Sequence, residues 1–273
     1  MHPLQSGMEL RDNKKEKIED KEFSTVLRGD DLSHKELIRV YAVDQIFTGV
    51  TFMQCVFTSC YFRNCRFIRC DFTGAIIKES NFKGAQFEEC IFKYTILEKT
   101  LLDERFLDTC LPSEENLARD LVRTLRVNFA QIGNYEAVNK AASIEVKLTG
   151  QHLYNAAYSR QSYYRAKYKG HARFSHALQH LQWKSLDLLW GNGESILRVI
   201  VSSLVVVFFA AILYMRDAVG ISFPDAFFEA LWHFWGVEYS APMPSSYVLS
   251  LTILRFGIFG LFMAILIKRL SRR

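Results

Sequence analysis

The chain has 273 residues, of which 49% are hydrophobic and 23% charged, and its formal net charge is +5. Its mean hydropathy of +0.01 is typical of a soluble protein. The apolar residues are concentrated in the last quarter, however, while residues 1–44 and 113–190 are highly charged. The average therefore combines a soluble part with a membrane part, which excludes a single uniform soluble domain.

Residues 1–43 are predicted to form a charged N-terminal arm. The segment from Glu9 to Glu22 is mostly charged, and no continuous apolar stretch resembles the core of a signal peptide. We expect Glu9–Glu22 to be a frayed helix or a disordered segment, and the N-terminus to stay in the cytoplasm.

Residues 44–111 contain an internal repeat of five residues. Large apolar residues recur at this spacing, and neither a helix nor a strand has that period over about sixty residues. A small residue lies two positions before each large one from Phe52 to Leu102, and we expect both to point into the centre of a coil. The large residues are Phe47, Phe52, Phe57, Phe62, Phe67, Phe72, Ile77, Phe82, Phe87, Phe92, Leu97, Leu102 and Leu107, and the small ones include Val50, Cys55, Cys60, Cys65, Cys70, Ala75, Ser80, Ala85, Cys90, Thr95 and Thr100.

The six cysteines all lie on this five-residue grid. Zinc sites and redox motifs have other spacings, so the cysteines are interpreted as small apolar core residues. The sequence predicts no metal site and no cofactor.

Residues 45–107 resemble the pentapeptide repeat family, whose consensus places Ala or Cys two positions before a central Leu or Phe. The resemblance implies a right-handed quadrilateral β-helix with four pentapeptides per coil, and hence about three coils here. Solenoid ends need caps, so we expect helical segments to cover both ends. The outward residues carry mixed charges, which argues against an acidic surface that mimics DNA.

Residues 112–190 are predicted to form a cytoplasmic α-helical linker domain. Ser113 is a plausible N-cap with acidic residues in the following turn, and Gly133-Asn134 ends the helix. A second helix is expected from Tyr135 to about Leu148.

The stretch between Glu145 and Asp187 contains no acidic residue but many basic and aromatic ones. Basic side chains beside aromatic rings suit a nucleotide or oligonucleotide, because charge holds phosphates and rings stack on bases. Proximity to anionic lipid head groups explains the same charge without a soluble ligand, and a third reading needs neither. The candidate ligand-binding residues are Arg160, Tyr164, Arg165, Lys167, Lys169 and Arg173.

Residues 191–273 are predicted to form a transmembrane domain. Residues 196–215 and 247–267 are each apolar over about twenty residues, the length that spans a bilayer. Basic residues flank the outer ends of this pair, whereas the loop from Asp217 to Ser246 has none, so both termini should be cytoplasmic. Within the loop, residues 223–235 form a helix too short to span, typical of a re-entrant pore helix.

The order of repeat, helical linker, span, short helix and second span resembles bacterial two-span potassium-channel-like proteins that carry pentapeptide repeats. This resemblance implies a homotetramer in the bacterial inner membrane. The filter motif of that family is replaced by a segment that includes Trp235, Gly236, Val237, Glu238 and Tyr239. These residues are candidate pore and filter residues, but potassium selectivity does not carry over and the permeant ion stays open.

Arg255 lies inside the second span, where facing lipid is costly. It is expected to pair with Glu238, to line a water-filled pore, or to extend to the membrane surface. Gly257 and Gly260 lie just beyond it and are candidates for a gate hinge or a close helix contact.

The sequence therefore predicts a subunit of a homo-oligomeric, ligand-gated ion channel. Channels of this build can act in antiphage defence by depolarising infected cells under nucleotide control, and the acid-free basic segment raises that hypothesis. The alternative is a non-conducting membrane-anchored scaffold or sensor that binds a partner through the repeats. No nucleophile and base pair, paired carboxylate or phosphate loop indicates an enzyme.

Overall fold

The computed structural model describes residues 15–23, 27–218, 220–237 and 243–270. The chain divides into two compact units, Met1–Leu148 and Thr149–Arg273. The boundary falls inside a helix, and each unit is described by itself.

The first unit contains a parallel β-solenoid of about four turns. Its strands form two sheets with the orders β1-β3-β5-β7-β9 and β2-β4-β6-β8. Phe47 pairs with Phe67 and Phe67 with Phe87, so one coil takes twenty residues. This register confirms four pentapeptides per coil. The strands are β1 (Lys17–Glu19), β2 (Leu27–Arg28), β3 (Glu36–Ile38), β4 (Ile46–Thr48), β5 (Val56–Thr58), β6 (Arg66–Ile68), β7 (Ile76–Lys78), β8 (Gln86–Glu88) and β9 (Ile96–Glu98).

The centre of the solenoid is filled by stacked phenylalanine rings. The ring centroids of Phe47 and Phe67 lie 4.8 Å apart, and those of Phe52 and Phe72 lie 4.9 Å apart. The residues of the small column are also buried, apart from the partly exposed Ala85 and Cys90. The prediction that both columns point inward is therefore confirmed for most coils.

The first described strand begins at Lys17, so the predicted frayed helix or disordered segment at Glu9–Glu22 is wrong for its described part. Strands β1 to β3 place described residues before position 44 in the solenoid, where the sequence predicted only a charged arm. Two departures from the pattern of large residues at five-residue spacing hid the repeat in this segment. The large-residue positions slip by one, because Phe23 and Leu27 are four residues apart, and Ala42 stands where a large residue is expected. The charged side chains lie outside and pair between coils, for example Arg39 with Asp20 at 2.6 Å. Residues 1–14 lie outside the described part of the chain.

Helices cover the C-terminal end of the solenoid. Where the next strand would follow β8, the chain forms the short helix α1 (Phe106–Thr109). Helix α2 (Glu115–Gln131) packs on β9. The buried Asn128 side chain accepts a hydrogen bond from the Thr100 amide at 2.7 Å and donates one to the Thr100 carbonyl at 2.8 Å. The predicted helical cap is thus present at this end, whereas the described N-terminal end consists of strands.

Helix α3 (Tyr135–Tyr158) is ten residues longer than predicted and crosses into the second unit. It is followed by α4 (Ser162–Lys167) and α5 (His171–Trp190). A tight turn with positive φ at Gly191, Asn192 and Gly193 then leads into α6 (Ile196–Asp217).

Three helices complete the second unit. After α6 come α7 (Phe223–Trp235) and α8 (Ser245–Leu270), which agree with the predicted elements within three residues. Helices α6 and α8 are long and apolar enough to cross a membrane. The short α7 packs against both.

Candidate functional site

The hairpin of α6 and α8 is closed by polar contacts at both ends. At one end the Tyr247 hydroxyl donates to the Asp217 carboxylate and lies 3.4 Å from the Leu213 carbonyl. At the other end the Lys268 ammonium pairs with Glu194 and lies 3.4 Å from the Gly193 carbonyl. The two helices are therefore antiparallel neighbours over their full length, which is about 33 Å for the 22 residues of α6.

Helix α7 begins and ends at clear sequence signals. The Ser222 side chain accepts a hydrogen bond from the Asp225 amide, and Pro224 occupies the first turn. Gly236 ends the helix in a left-handed conformation with φ of 81°. Ala226, Ala230 and Phe234 are buried within the second unit.

The C-terminal end of α7 meets the middle of α8 at Arg255. A Cβ atom on Gly236 would overlap the Arg255 guanidinium, so the two residues are in direct contact. The guanidinium also lies 5.1 Å from the centre of the Phe256 ring. A cation at a helix C-terminus is electrostatically favourable, because the helix dipole is negative there.

The predicted filter segment is only partly described. The side chains of Trp235 and Val237 are 69% and 48% exposed within one chain. Glu238 and Tyr239 lie outside the described residues, so the predicted pair of Glu238 with Arg255 stays a prediction. Among the described residues Arg255 has no carboxylate within 4 Å.

Helix α8 is continuous from Ser245 to Leu270 and passes through both candidate hinge glycines. A Cβ atom at Gly257 or Gly260 would meet no described atom within 4 Å. The predicted close packing at these glycines is therefore absent from the described part of one chain, and the hinge stays a prediction. Beside them, Val199, Trp235, Arg255 and Phe259 line an apolar groove with a volume of about 540 Å³.

Helix α7 also pairs a buried glutamate with a partly buried histidine, which the sequence did not predict. Glu229 is 2% exposed, and its carboxylate lies 3.1 Å from Nε2 of His233. The spacing of four residues places both on one helix face. The sequence signal that could have revealed this pair is a Glu and a His four residues apart in a helix rich in aromatic residues.

The candidate ligand residues of the basic segment divide into two groups. Tyr164 is buried beside His152 and Tyr168, and Arg173 donates to the backbone carbonyls of Ala157 and Ser159 at 2.5 and 3.1 Å. These two residues hold α3, α4 and α5 together, so the structure assigns them a packing role.

The remaining four candidates point to solvent. Arg160, Arg165, Lys167 and Lys169 are exposed, and none has a carboxylate within 4 Å in the described part of the chain. Lys167 donates to the Tyr163 hydroxyl at 3.0 Å, and this hydrogen bond raises the pKa of Lys167. Residues 160–169 therefore carry four exposed basic side chains without an ion-pair partner among the described residues.

The surroundings of the cysteines indicate a structural role. The Sγ atoms of Cys60, Cys65 and Cys70 each lie 3.2–3.4 Å from a backbone carbonyl of the preceding coil. Among the described residues no group of His, Cys, Asp or Glu is arranged to hold a metal ion. A cavity of about 780 Å³ lies in the first unit where β8 faces α1.

Comparison with known proteins identifies only the repeats. The family model described as "Pentapeptide repeats" matches eight copies over residues 37–74 and 55–93. No curated protein matches the chain.

Solved structures give weak matches. One is a pentapeptide repeat protein, Rfr23, from the cyanobacterium Cyanothece 51142, with 15% identity, a TM-score of 0.21, and coverage of 32% of this chain and 60% of that one. Another is a trypsin-treated variant of QnrB1, a plasmid-mediated fluoroquinolone resistance protein, with 15% identity, a TM-score of 0.12, and coverage of 30% and 56%. The chain thus spans less than two thirds of the length of either structure. The register of the coils and the family match together identify residues 37–93 as pentapeptide repeats that form a β-solenoid.

Proposed function

We propose that this protein is a subunit of a homo-oligomeric ion channel, in which α6 and α8 cross the inner membrane and α7 is a re-entrant pore helix. The solenoid and the helices that follow it would lie in the cytoplasm and control the pore. Control by a nucleotide and a role in antiphage defence remain hypotheses that rest on the basic segment alone.

The observation that carries this proposal is the contact of Gly236 with Arg255. Arg255 lies ten residues after the start of α8 and fifteen before its end. If α8 crosses a bilayer, the end of α7 therefore reaches well into the membrane and does not stay at its surface. Irregular backbone at that depth is tolerated only where protein or water surrounds it.

The position of Arg255 supports a water-filled path near the end of α7. A guanidinium in the middle of a span is costly against lipid, and neutral contacts with Gly236 and Phe256 do not cancel its charge. The exposed Trp235 and Val237 would line the same region in an assembly. One hairpin with one short helix cannot surround a pore, so several copies are required.

The test is ion flux from vesicles that contain the purified full chain. We expect a dye that reports membrane potential to respond to an imposed potassium or chloride gradient, and mass photometry in mild detergent to give an oligomer, with a tetramer expected by resemblance. Protease protection of the α6–α7 loop in the same vesicles controls for insertion.

Inserted oligomers that pass no ions, with or without candidate nucleotides, would refute the channel. A partner captured specifically by the solenoid under those conditions would favour the membrane-anchored scaffold instead. Inserted monomers would refute the requirement for several copies.

A further inference from the structure

Helix α5 has two apolar or aromatic faces, and only one is used within its own unit. Trp183 lies over Gly150, where an added Cβ would overlap the ring. The His180 ring lies 5.5 Å from that of Tyr154, and the His176 ring lies 6.4 Å from that of His152. His176, His180 and Trp183 therefore form the face of α5 that packs on α3.

The opposite face of α5 is an exposed apolar stripe, defined here as Phe174, Leu178, Leu181 and Leu188. Steps of four, three and seven residues place these side chains on one side of the helix. They are 62%, 52%, 61% and 76% exposed. At 100° per residue the stripe is turned about 150° away from the packed face, so no repacking of α5 on α3 can cover both.

The end of this stripe is tied to the start of the first candidate span. The Ser202 hydroxyl donates to the Leu189 carbonyl at 2.9 Å, and Arg198 pairs with Asp187 at 2.6 Å. The last turn of α5 therefore lies beside the first two turns of α6. If α6 crosses a bilayer, this part of α5 must lie at the level of its surface.

The charge near the other end of α5 is complementary to an anionic surface. Arg160, Arg165 and Lys169 are exposed just before α5, and no acidic residue occurs from 146 to 186. An apolar stripe combined with exposed basic residues is the composition of helices that lie in the membrane interface.

We propose that α5 lies flat on the cytoplasmic membrane surface, with the apolar stripe in the lipid and with Arg160, Arg165 and Lys169 on anionic phospholipid head groups. This inference rests on the proposed membrane insertion of α6 and α8. It assigns the exposed part of the basic segment to lipid and not to a nucleotide.

Hydrogen exchange of the full chain tests the inference. The protein is placed in nanodiscs of phosphatidylcholine alone or of phosphatidylcholine with phosphatidylglycerol, and peptides from 171–190 and 196–217 are followed together. We expect the α5 amides to exchange about tenfold more slowly in the anionic discs, because basic residues gain attraction there. This difference should shrink as salt rises.

Matched variants identify the side chains responsible. Replacing Leu178 and Leu181 by Ser should abolish the slow exchange of α5, whereas replacing Gln179 and Gln182 by Ser should leave it unchanged, because these exposed glutamines adjoin the leucines in sequence but lie outside the stripe. A triple change of Arg160, Arg165 and Lys169 to Gln should remove the difference between the two lipids. All of these positions are exposed, so the unit should still fold.

The possible results separate the two proposals. If α6 is protected but α5 exchanges equally in both lipids, the lipid inference is wrong while membrane insertion stands. If α6 itself is unprotected, the proposed function fails. If ATP or an oligonucleotide protects α5 in detergent without phosphatidylglycerol and the triple variant loses this effect, the basic residues bind a nucleotide and the lipid assignment is overturned.

Discussion

Phe67 lies at the centre of the aromatic column, between the rings of Phe47 at 4.8 Å and Phe87 at 5.1 Å. Phe67→Ala should leave a cavity that a stack of about four coils cannot close, with a loss of about 3–5 kcal/mol in the free energy of unfolding. Arg69→Ala, two residues away and exposed, should change it by less than about 0.5 kcal/mol. Thermal denaturation followed by circular dichroism compares the two, and equal shifts would contradict the inward assignment.

The buried thiols make a second prediction at this scale. Burial raises the pKa of Cys55, Cys65 and Cys110 to about 11 from an ordinary value of 9.0. A thiol whose pKa is raised on folding stabilises the fold fully below pH 9, and this contribution is lost as the pH rises to about 11. The melting temperature of the solenoid should therefore fall over that window.

Cys65→Ala provides the control for this pH effect. Ala75 already occupies the same column, so the substitution should be tolerated. The variant should lose less stability between pH 9 and 11 than the wild type does. An identical decline in both proteins would show that other groups, and not the Cys65 thiol, cause it.

The two inward columns could be predicted from the sequence because inward positions recur every five residues, even where the outward residues vary. The sequence did not predict Asn128, since a single asparagine in an amphipathic helix has no pattern. Only the structure reveals its role. The Asn128 side-chain amide makes the two hydrogen bonds with the Thr100 backbone that a further coil would otherwise make. The Glu229–His233 pair has a visible spacing of four residues, but that spacing alone does not show that Glu229 is buried.

Among the elements, the α2 cap makes its buried hydrogen bonds to the last coil through Asn128. Asn128→Ala would leave the amide and carbonyl of Thr100 buried without partners, at a cost of about 1–3 kcal/mol for each unsatisfied group. Gln131→Ala removes only one exposed hydrogen bond, to the Lys99 amide, and should cost less than about 1 kcal/mol. Denaturant titration of both variants measures the difference, and similar costs would mean that α2 caps by apolar packing alone.

The contact of α7 with α8 makes a prediction about coupling. Gly236→Ala introduces strain from the positive φ and an overlap with Arg255. In an Arg255→Ala background the overlap disappears and only the strain remains. The glycine substitution should therefore cost less in that background.

Tryptophan fluorescence can follow this effect in detergent, because all four tryptophans, at positions 183, 190, 232 and 235, lie in the second unit. Additive effects of the two substitutions would mean that Arg255 does not press on Gly236 in solution. A positive coupling would support the depth assigned to the end of α7.

The ends of a helix could be predicted where residues at those ends cause the helix to start or stop. Ser222-Phe223-Pro224 starts α7 and Gly236 ends it, as expected from capping rules. The start of the solenoid was misplaced because recognition depended on large residues at every step, whereas Ala42 and the slip before Leu27 break that series. Contacts with neighbouring coils still hold Ala42 and Leu27 in register. Such contacts form only in the folded chain, so a local sequence pattern does not show them.

For the whole molecule, the sequence predicted a solenoid followed by helices, and the structure agrees. The two apolar helices also agree in position, and α7 folds between them. Within one chain, residues such as Trp235, Gly257 and Gly260 have an open side. In the proposed oligomer their roles would be set by contacts between copies, which a local sequence pattern does not predict.

In the proposed channel, several copies of the chain surround an ion path beside Arg255. The most direct test of this claim is the reversal potential across a salt gradient, measured in planar bilayers for the wild type and for Arg255→Ala, with tetramer formation checked for both. We predict discrete current steps for the wild type and a reversal potential shifted toward cation preference in the variant, because a fixed positive charge leaves the path. Inserted wild-type oligomers without current, or equal reversal potentials in two intact assemblies, would contradict the account.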